Sequence, residues 1–200
     1  MKARKLFLIS NRRLVKTGTF YDVIQGAVEG GIDGIILREK DLPYKSLMPM
    51  ALKIREIVKD RNISLIVHSN WQAAADSGAD GLHLGFSDFM KKQHAFKGEI
   101  GVSIHSVEEA VLAQENGASY LLAGHIFKTD CKKGLEPGGP GLLRKIRPLV
   151  NIPLIALGGI CPLNAREALD AGAHGVAVMS YIMASGNPYK AALDLREAIK

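Results

Sequence analysis

His125 ends the apolar run Leu121-Leu-Ala-Gly124. A neutral imidazole at the end of a buried strand can take a proton from one atom and return it to another, the usual work of histidine near neutral pH. A rim histidine bonded to a backbone group is the plain alternative. The doubled glycine of Leu157-Gly158-Gly159-Ile160 lets backbone N–H groups approach an anion with no side chain interposed, and Val178-Met179-Ser180 adds N–H donors and a hydroxyl. That set reads as a phosphate site made by Gly158, Gly159, Met179 and Ser180; a tight turn alone is the competing reading. Arg38 and Lys40, two residues apart, share one face of an extended strand and suit a substrate carboxylate, or else pair with Glu39 or another rim acid. Ser103 and His105 end another strand and are candidate substrate contacts, His105 having the alternative of orienting the start of the next helix, and Lys132 sits in a Gly- and charge-rich loop, 129–141, of lid type. His83 lies inside an alternating pattern and fits a barrel interior; His68 and His105 are rim candidates of undecided role. Cys131 has no base beside it in sequence, which argues against a nucleophile. The histidines and acids never fall into zinc spacing, so no structural metal and no cofactor is expected.

These residues need strand ends to hold them, and a repeated phrase supplies the strands. Gly31-Ile-Asp-Gly, Gly78-Ala-Asp-Gly, Gly117-Ala-Ser-Tyr and Gly172-Ala-His-Gly each follow a helix-like segment and lead into a short apolar run. A left-handed glycine after the last helical turn, then a buried parallel strand, is the economical reading. Further strands are predicted at Lys5–Ser10, Ser64–His68, Ile100–Ile104 and Pro153–Leu157. Helix signals fill the gaps: a capping box Ser106-Val-Glu-Glu109, a cap-plus-proline at Asn187-Pro188, and a periodic helix over Ser46–Lys59 that tolerates Pro49 in its first turn. The fourth helix, near Ser87–Phe96, is the weakest. Eight strand–helix units in 200 residues predict one α/β domain over residues 1–200, a (β/α)8 TIM barrel, ahead of an open doubly wound sheet. The candidates other than His83 then fall at carboxyl strand ends or in the loops that follow them, where such barrels do their chemistry.

Composition narrows the partners. A net charge of +6 favours anions, but the basic residues are scattered without interleaved aromatics, so no nucleic-acid groove is expected and a phosphorylated metabolite is. Two cysteines without a CxxC fit a reducing compartment, and no apolar run reaches membrane-spanning length, so a cytoplasmic protein without a membrane partner is expected. A homodimer is compatible with the sequence.

The whole chain resembles the thiamine phosphate synthase/TenI family. The shared phrases are Leu37-Arg-Glu-Lys40, Gly78-Ala-Asp-Gly-Leu-His-Leu-Gly85, Val102-Ser-Ile-His-Ser106, Ala156-Leu-Gly-Gly-Ile160 and Ala177-Val-Met-Ser180. The synthase branch has Gln-x-Arg-x-Lys on strand two, Asn-Asp-Arg after strand three and Thr-x-Thr-Lys after strand six. This chain has Ile36, His68-Ser69-Asn70 and Phe127-Lys128-Thr129-Asp130 there, leaving Asp88 of the acidic pair that serves magnesium. Gly124-His-Ile-Phe-Lys-Thr-Asp-Cys-Lys-Lys-Gly-Leu-Glu136 is similar instead to the TenI-type thiazole tautomerases. That resemblance implies aromatisation of a phosphorylated carboxy-dihydrothiazole, with His125 as proton shuttle and Gly158, Gly159 and Ser180 on the phosphate. A divergent thiamine phosphate synthase and a non-catalytic thiazole phosphate-binding regulator stay open.

Overall fold

The four repeat glycines Gly31, Gly78, Gly117 and Gly172 all have positive φ (62–107°), the conformation that ends a helix and that a Cβ penalises. From each the chain enters an even-numbered strand. In the computed structural model, which describes residues 4–129, 134 and 136–200, these strands are β2 (Gly34–Leu37), β4 (Gly81–Gly85), β6 (Tyr120–Gly124) and β8 (Gly175–Val178). Between them lie β1 (Lys5–Ile9), β3 (Ser64–His68), β5 (Glu99–Ile104) and β7 (Leu154–Leu157). All eight pair in parallel, each with its sequence neighbour, and β1 pairs with β8, so the sheet closes into a (β/α)8 barrel. No helix among the described residues is long and apolar enough to cross a membrane.

The third residue of each repeat has a task that its spacing did not announce. The Asp33 carboxylate accepts the N–H of Leu6 (2.7 Å), and those of Asp80, the Ser119 hydroxyl and His174 Nδ1 accept from Leu65 (2.8 Å), Ile100 (3.0 Å) and Leu154 (3.1 Å). The same four residues return their own N–H to the carbonyls of Leu6, Leu65, Ile100 and Leu154. Each odd strand is thus gripped at its start by the residue just before the next strand. Asp33 also holds Arg196 of the last helix. Asp33→Ala would leave the N–H of fully buried Leu6 without an acceptor, a loss of about 1–3 kcal/mol. A urea midpoint lowered with an unchanged m-value is the expected result; an unchanged midpoint would contradict it.

The helices are α1 (Phe20–Glu29), α2 (Tyr44–Ile57), α3 (Trp71–Asp76), α4 (Phe86–Met90), α5 (Val107–Glu115), α6 (Gly139–Ile146), α7 (Ala165–Asp170), α8 (Ser180–Met183) and α9 (Pro188–Ala198). Asn187 caps α9 through the N–H of Lys190, with Pro188 in the first turn. Three expectations change. Helix α2 starts two residues earlier than the sequence suggests, so Pro49 lies beyond the first turn and the helix forgoes the N–H bond to Lys45. Helix α4 is a five-residue remnant at Phe86–Met90 rather than a span to Phe96. The Ser106 box is half formed: the hydroxyl accepts from Glu109 N–H (3.1 Å), but the Glu109 carboxylate takes the N–H of His105 (2.7 Å).

Alternation along the strands makes two cores. Outward residues such as Leu6, Ile35, Leu65, Leu82 and Leu121 are buried under the helices. Inward ones, Ile9, Ile36, Ile66, Leu122, Ile155 and Ala177, fill the barrel above Tyr120. Tyr120 stands where the other three repeats carry glycine. Its ring is parallel to that of Phe7 (centroids 6.2 Å, 1° between planes). Gly101 makes the space: a Cβ there would lie 2.0 Å from the ring, and one at Gly34 would lie 2.5 Å from Phe7. The pair forms an aromatic floor.

Candidate functional site

Above that floor the carboxyl strand ends surround a cavity of about 1190 Å³. It gathers Arg38, Lys40, Ser103, His105, His125, Gly158, Gly159, Met179 and Ser180, together with His68, His83 and Asp88. Lys132 and Cys131 lie outside the described residues.

His125 is 6% exposed and has φ +43°, a left-handed backbone that few non-glycine residues adopt. Its Nε2 is shielded from solvent and has no hydrogen-bond partner among the described residues. The segment that carries it is sewn to the end of β7. Ile126 N–H donates to Leu157 carbonyl (3.0 Å) and Phe127 N–H to Gly158 carbonyl (2.9 Å), while Gly138 N–H donates to His125 carbonyl (2.8 Å) and closes the base of the long loop. The glycines are part of this seam. A Cβ on Gly158 would lie 2.9 Å from His125 Cα, and one on Gly159 would lie 2.4 Å from the Lys128 carbonyl oxygen. Both glycines have positive φ. The tight-turn reading is therefore correct as far as it goes, and the turn also seats the histidine.

Asn164 fixes the same turn: its amide donates to Gly159 carbonyl (2.9 Å) and accepts the N–H of Cys161 (2.9 Å). Reading the sequence missed this residue; an asparagine just before a helical segment, five residues after a glycine pair, was the signal. Ser180 opens α8 beside this turn, where the first N–H groups have no intrahelical acceptor.

Across the barrel from β6 and β7 the mouth is cationic. Buried Glu39 accepts from the Ser10 hydroxyl (2.7 Å) and forms an ion pair with Arg12 (3.0 Å). Ser10 Oγ in turn accepts the N–H of Arg38. Arg38 and Lys40 sit close enough to His68 to help depress its pKa to about 4, after burial as the main cause. Burial likewise takes His83 down to about 3. His105 Nδ1 lies 3.2 Å from the Gly124 carbonyl, and its ring occupies the space a Cβ on Gly124 would need.

These two histidines make stability acid-sensitive. Both stay neutral in the fold, whereas the unfolded chain protonates them near the ordinary value of 6.5. Between about pH 6.5 and 4 the unfolded state binds more protons, so stability is full above that window and falls as pH drops through it. The urea midpoint should decline between pH 6.5 and 5, before carboxylates titrate, and a flat midpoint there would refute this.

The synthase branch implies magnesium, and the rim does not fit it. Ser69 stands at the acidic position and its hydroxyl is 2.7 Å from His68 Nδ1. Asp88 is paired with Lys91 (2.8 Å). Of the acidic pair that the synthase branch uses, Asp88 alone remains, and a Mg²⁺–pyrophosphate site draws on carboxylate charge to anchor the ion.

The comparisons agree on the lineage. The thiamine-phosphate synthase of Clostridium acetobutylicum is 35% identical over 185 residues, covering 90% of this chain and 88% of that protein. That of Methanoculleus marisnigri is 37% identical over 201 residues, covering 97% and 94%. The solved thiamine phosphate pyrophosphorylase of Pyrococcus furiosus matches with a TM-score of 0.87 at 35% identity, covering 98% of this chain and 95% of that one. The family described as thiamine monophosphate synthase, TMP-TENI, matches residues 6–182, and the chain belongs to it.

Proposed function

We propose that this member of a thiamine-biosynthesis family is a thiazole tautomerase, which converts the phosphorylated carboxy-dihydrothiazole into the aromatic carboxythiazole phosphate. The observation that carries the reading is His125: a buried imidazole lining the mouth, its Nε2 without a hydrogen-bond partner among the described residues, its backbone laid against Gly158. In the reaction the C–H bond at the ring carbon bearing the carboxylate breaks and its electron pair enters the ring. The former C=N pair moves to join the two ring carbons, and the exocyclic π pair goes to its outer carbon, which takes a proton, so atoms and charge balance without a co-reactant. His125 removes the first proton and delivers the second. The phosphate occupies the turn of Gly158 and Gly159 with Met179 and Ser180. Arg38 and Lys40, on the opposite side of the mouth, attract the carboxylate, and Ser103 and His105 flank the heterocycle.

The relatives' names favour a second reading, thiamine phosphate synthesis; the rim's poor fit to magnesium opposes it. Two time courses separate the readings. The purified chain is given the dihydrothiazole phosphate in one, and a pyrimidine pyrophosphate with thiazole phosphate and Mg²⁺ in the other. Aromatisation faster than the uncatalysed background is expected in the first. Thiamine phosphate formation without aromatisation would establish the second reading, and tight binding with neither rate would point to a regulatory protein.

A further inference from the structure

A polar chain runs up from the barrel floor to the cavity, and the proton shift does not use it. His83, 1% exposed, has Nδ1 3.0 Å from the Tyr120 hydroxyl and Nε2 2.8 Å from Ser103 Oγ. Tyr120 is 7% exposed and clamped between Phe7 and the space left by Gly101. Ser103 is partly exposed and lines the mouth. A neutral imidazole donates from one nitrogen and accepts at the other, so the chain has two possible polarities.

Tyr120 decides between them. If Nδ1 carried the hydrogen, the buried phenol hydrogen would have no acceptor among the described residues, and a buried donor left without a partner is destabilising. If Nδ1 is the lone pair, Tyr120 donates to it, Nε2–H donates to Ser103 Oγ, and every hydrogen below the cavity is used. The hydrogen of Ser103 is then the one left over, and it points its bonding capacity at the cavity. We infer that Tyr120 and His83 are positioning residues that hold Ser103 as a hydrogen-bond donor toward an acceptor atom of the ligand, a carboxylate oxygen or a heteroaromatic nitrogen. The identity of that ligand rests on the tautomerase reading; the polarity of the chain does not.

The test is the tautomer itself. Two-bond ¹⁵N–¹H correlation spectra of the full chain with ¹⁵N-labelled histidine at pH 7 should show His83 as the Nε2–H form; the Nδ1–H form would overturn the inference. In Tyr120→Phe, Nδ1 loses its donor and the single-tautomer signature should give way to a mixture. Should that variant fail to fold, the wild-type spectrum alone decides. Binding of carboxythiazole phosphate should weaken about tenfold in Ser103→Ala, as expected for one hydrogen bond to a ligand acceptor; unchanged affinity would overturn the donor role. If that ligand does not bind the wild type at all, the tautomerase reading falls, while the spectrum still judges the relay.

Discussion

Replacing His125 with asparagine is expected to slow aromatisation of the dihydrothiazole phosphate by about 10²- to 10⁴-fold, the usual share of a single acid–base group. Asparagine is the right replacement because the position has φ +43°, and asparagine tolerates the left-handed region better than alanine does. The seam bonds from Ile126, Phe127 and Gly138 are all backbone, so they survive the change. The variant should therefore keep its thermal midpoint and bind carboxythiazole phosphate within a few-fold of wild type while losing turnover. Equal initial rates for the two proteins would sink the mechanism. A loss of binding as large as the loss of rate would instead move His125 from proton transfer to ligand recognition.

The second large effect is expected from Gly159→Ala. Left-handed backbone costs a residue with a Cβ about 1–2 kcal/mol, and here the methyl also meets the Lys128 and Phe127 carbonyl oxygens at 2.4 and 2.7 Å. Those atoms belong to the backbone and cannot swing aside as a side chain would. Either the turn or the strand-six extension must move, and the Phe127–Gly158 bond goes with it. We expect a loss of at least ~2 kcal/mol, about 4–8 °C in Tm for a chain of this size, together with a drop in kcat as His125 leaves its seat. Gly117→Ala is the control: that glycine has φ +93° but nothing within 4 Å of its added methyl, so it carries the conformational cost alone. If the two variants lose equal stability and equal activity, collision with the histidine segment plays no part.

The barrel was legible because four copies of one phrase expose the alternation of helix, glycine and strand, and burial on both faces leaves strands little else to be. Strand ends follow directly, which is why nine of the ten candidate positions meet in one cavity and the tenth, Lys132, lies outside the described residues. What escaped was every feature that depends on a partner distant in sequence. Glu39 looked like a partner for its neighbour Arg38, but it turns inward to Ser10 and Arg12 across the β1–β2 seam. Gly158 and Gly159 advertised an anion turn, while their contact with residues 125–128 belongs to a different strand. Tyr120 did carry a signal, as the one copy of the repeat without a glycine before its apolar run. Its compensating Gly101 is a strand away, and only pairing of β5 with β6 brings them together.

The reciprocal bonds at Asp33, Asp80, Ser119 and His174 have a bearing on how the molecule comes together. Each spans only 15 to 27 residues of chain, so the entropy of closing it is modest and it can form before distant segments meet. The protein is in that sense four cassettes of strand, helix and strand, each latched internally and joined to the next through α2, α4 or α6. A circular permutant opened in one of those three connections keeps every cassette whole in the sequence, whereas one opened within α1, α3, α5 or α7 leaves a latch to close between the two ends of the new chain.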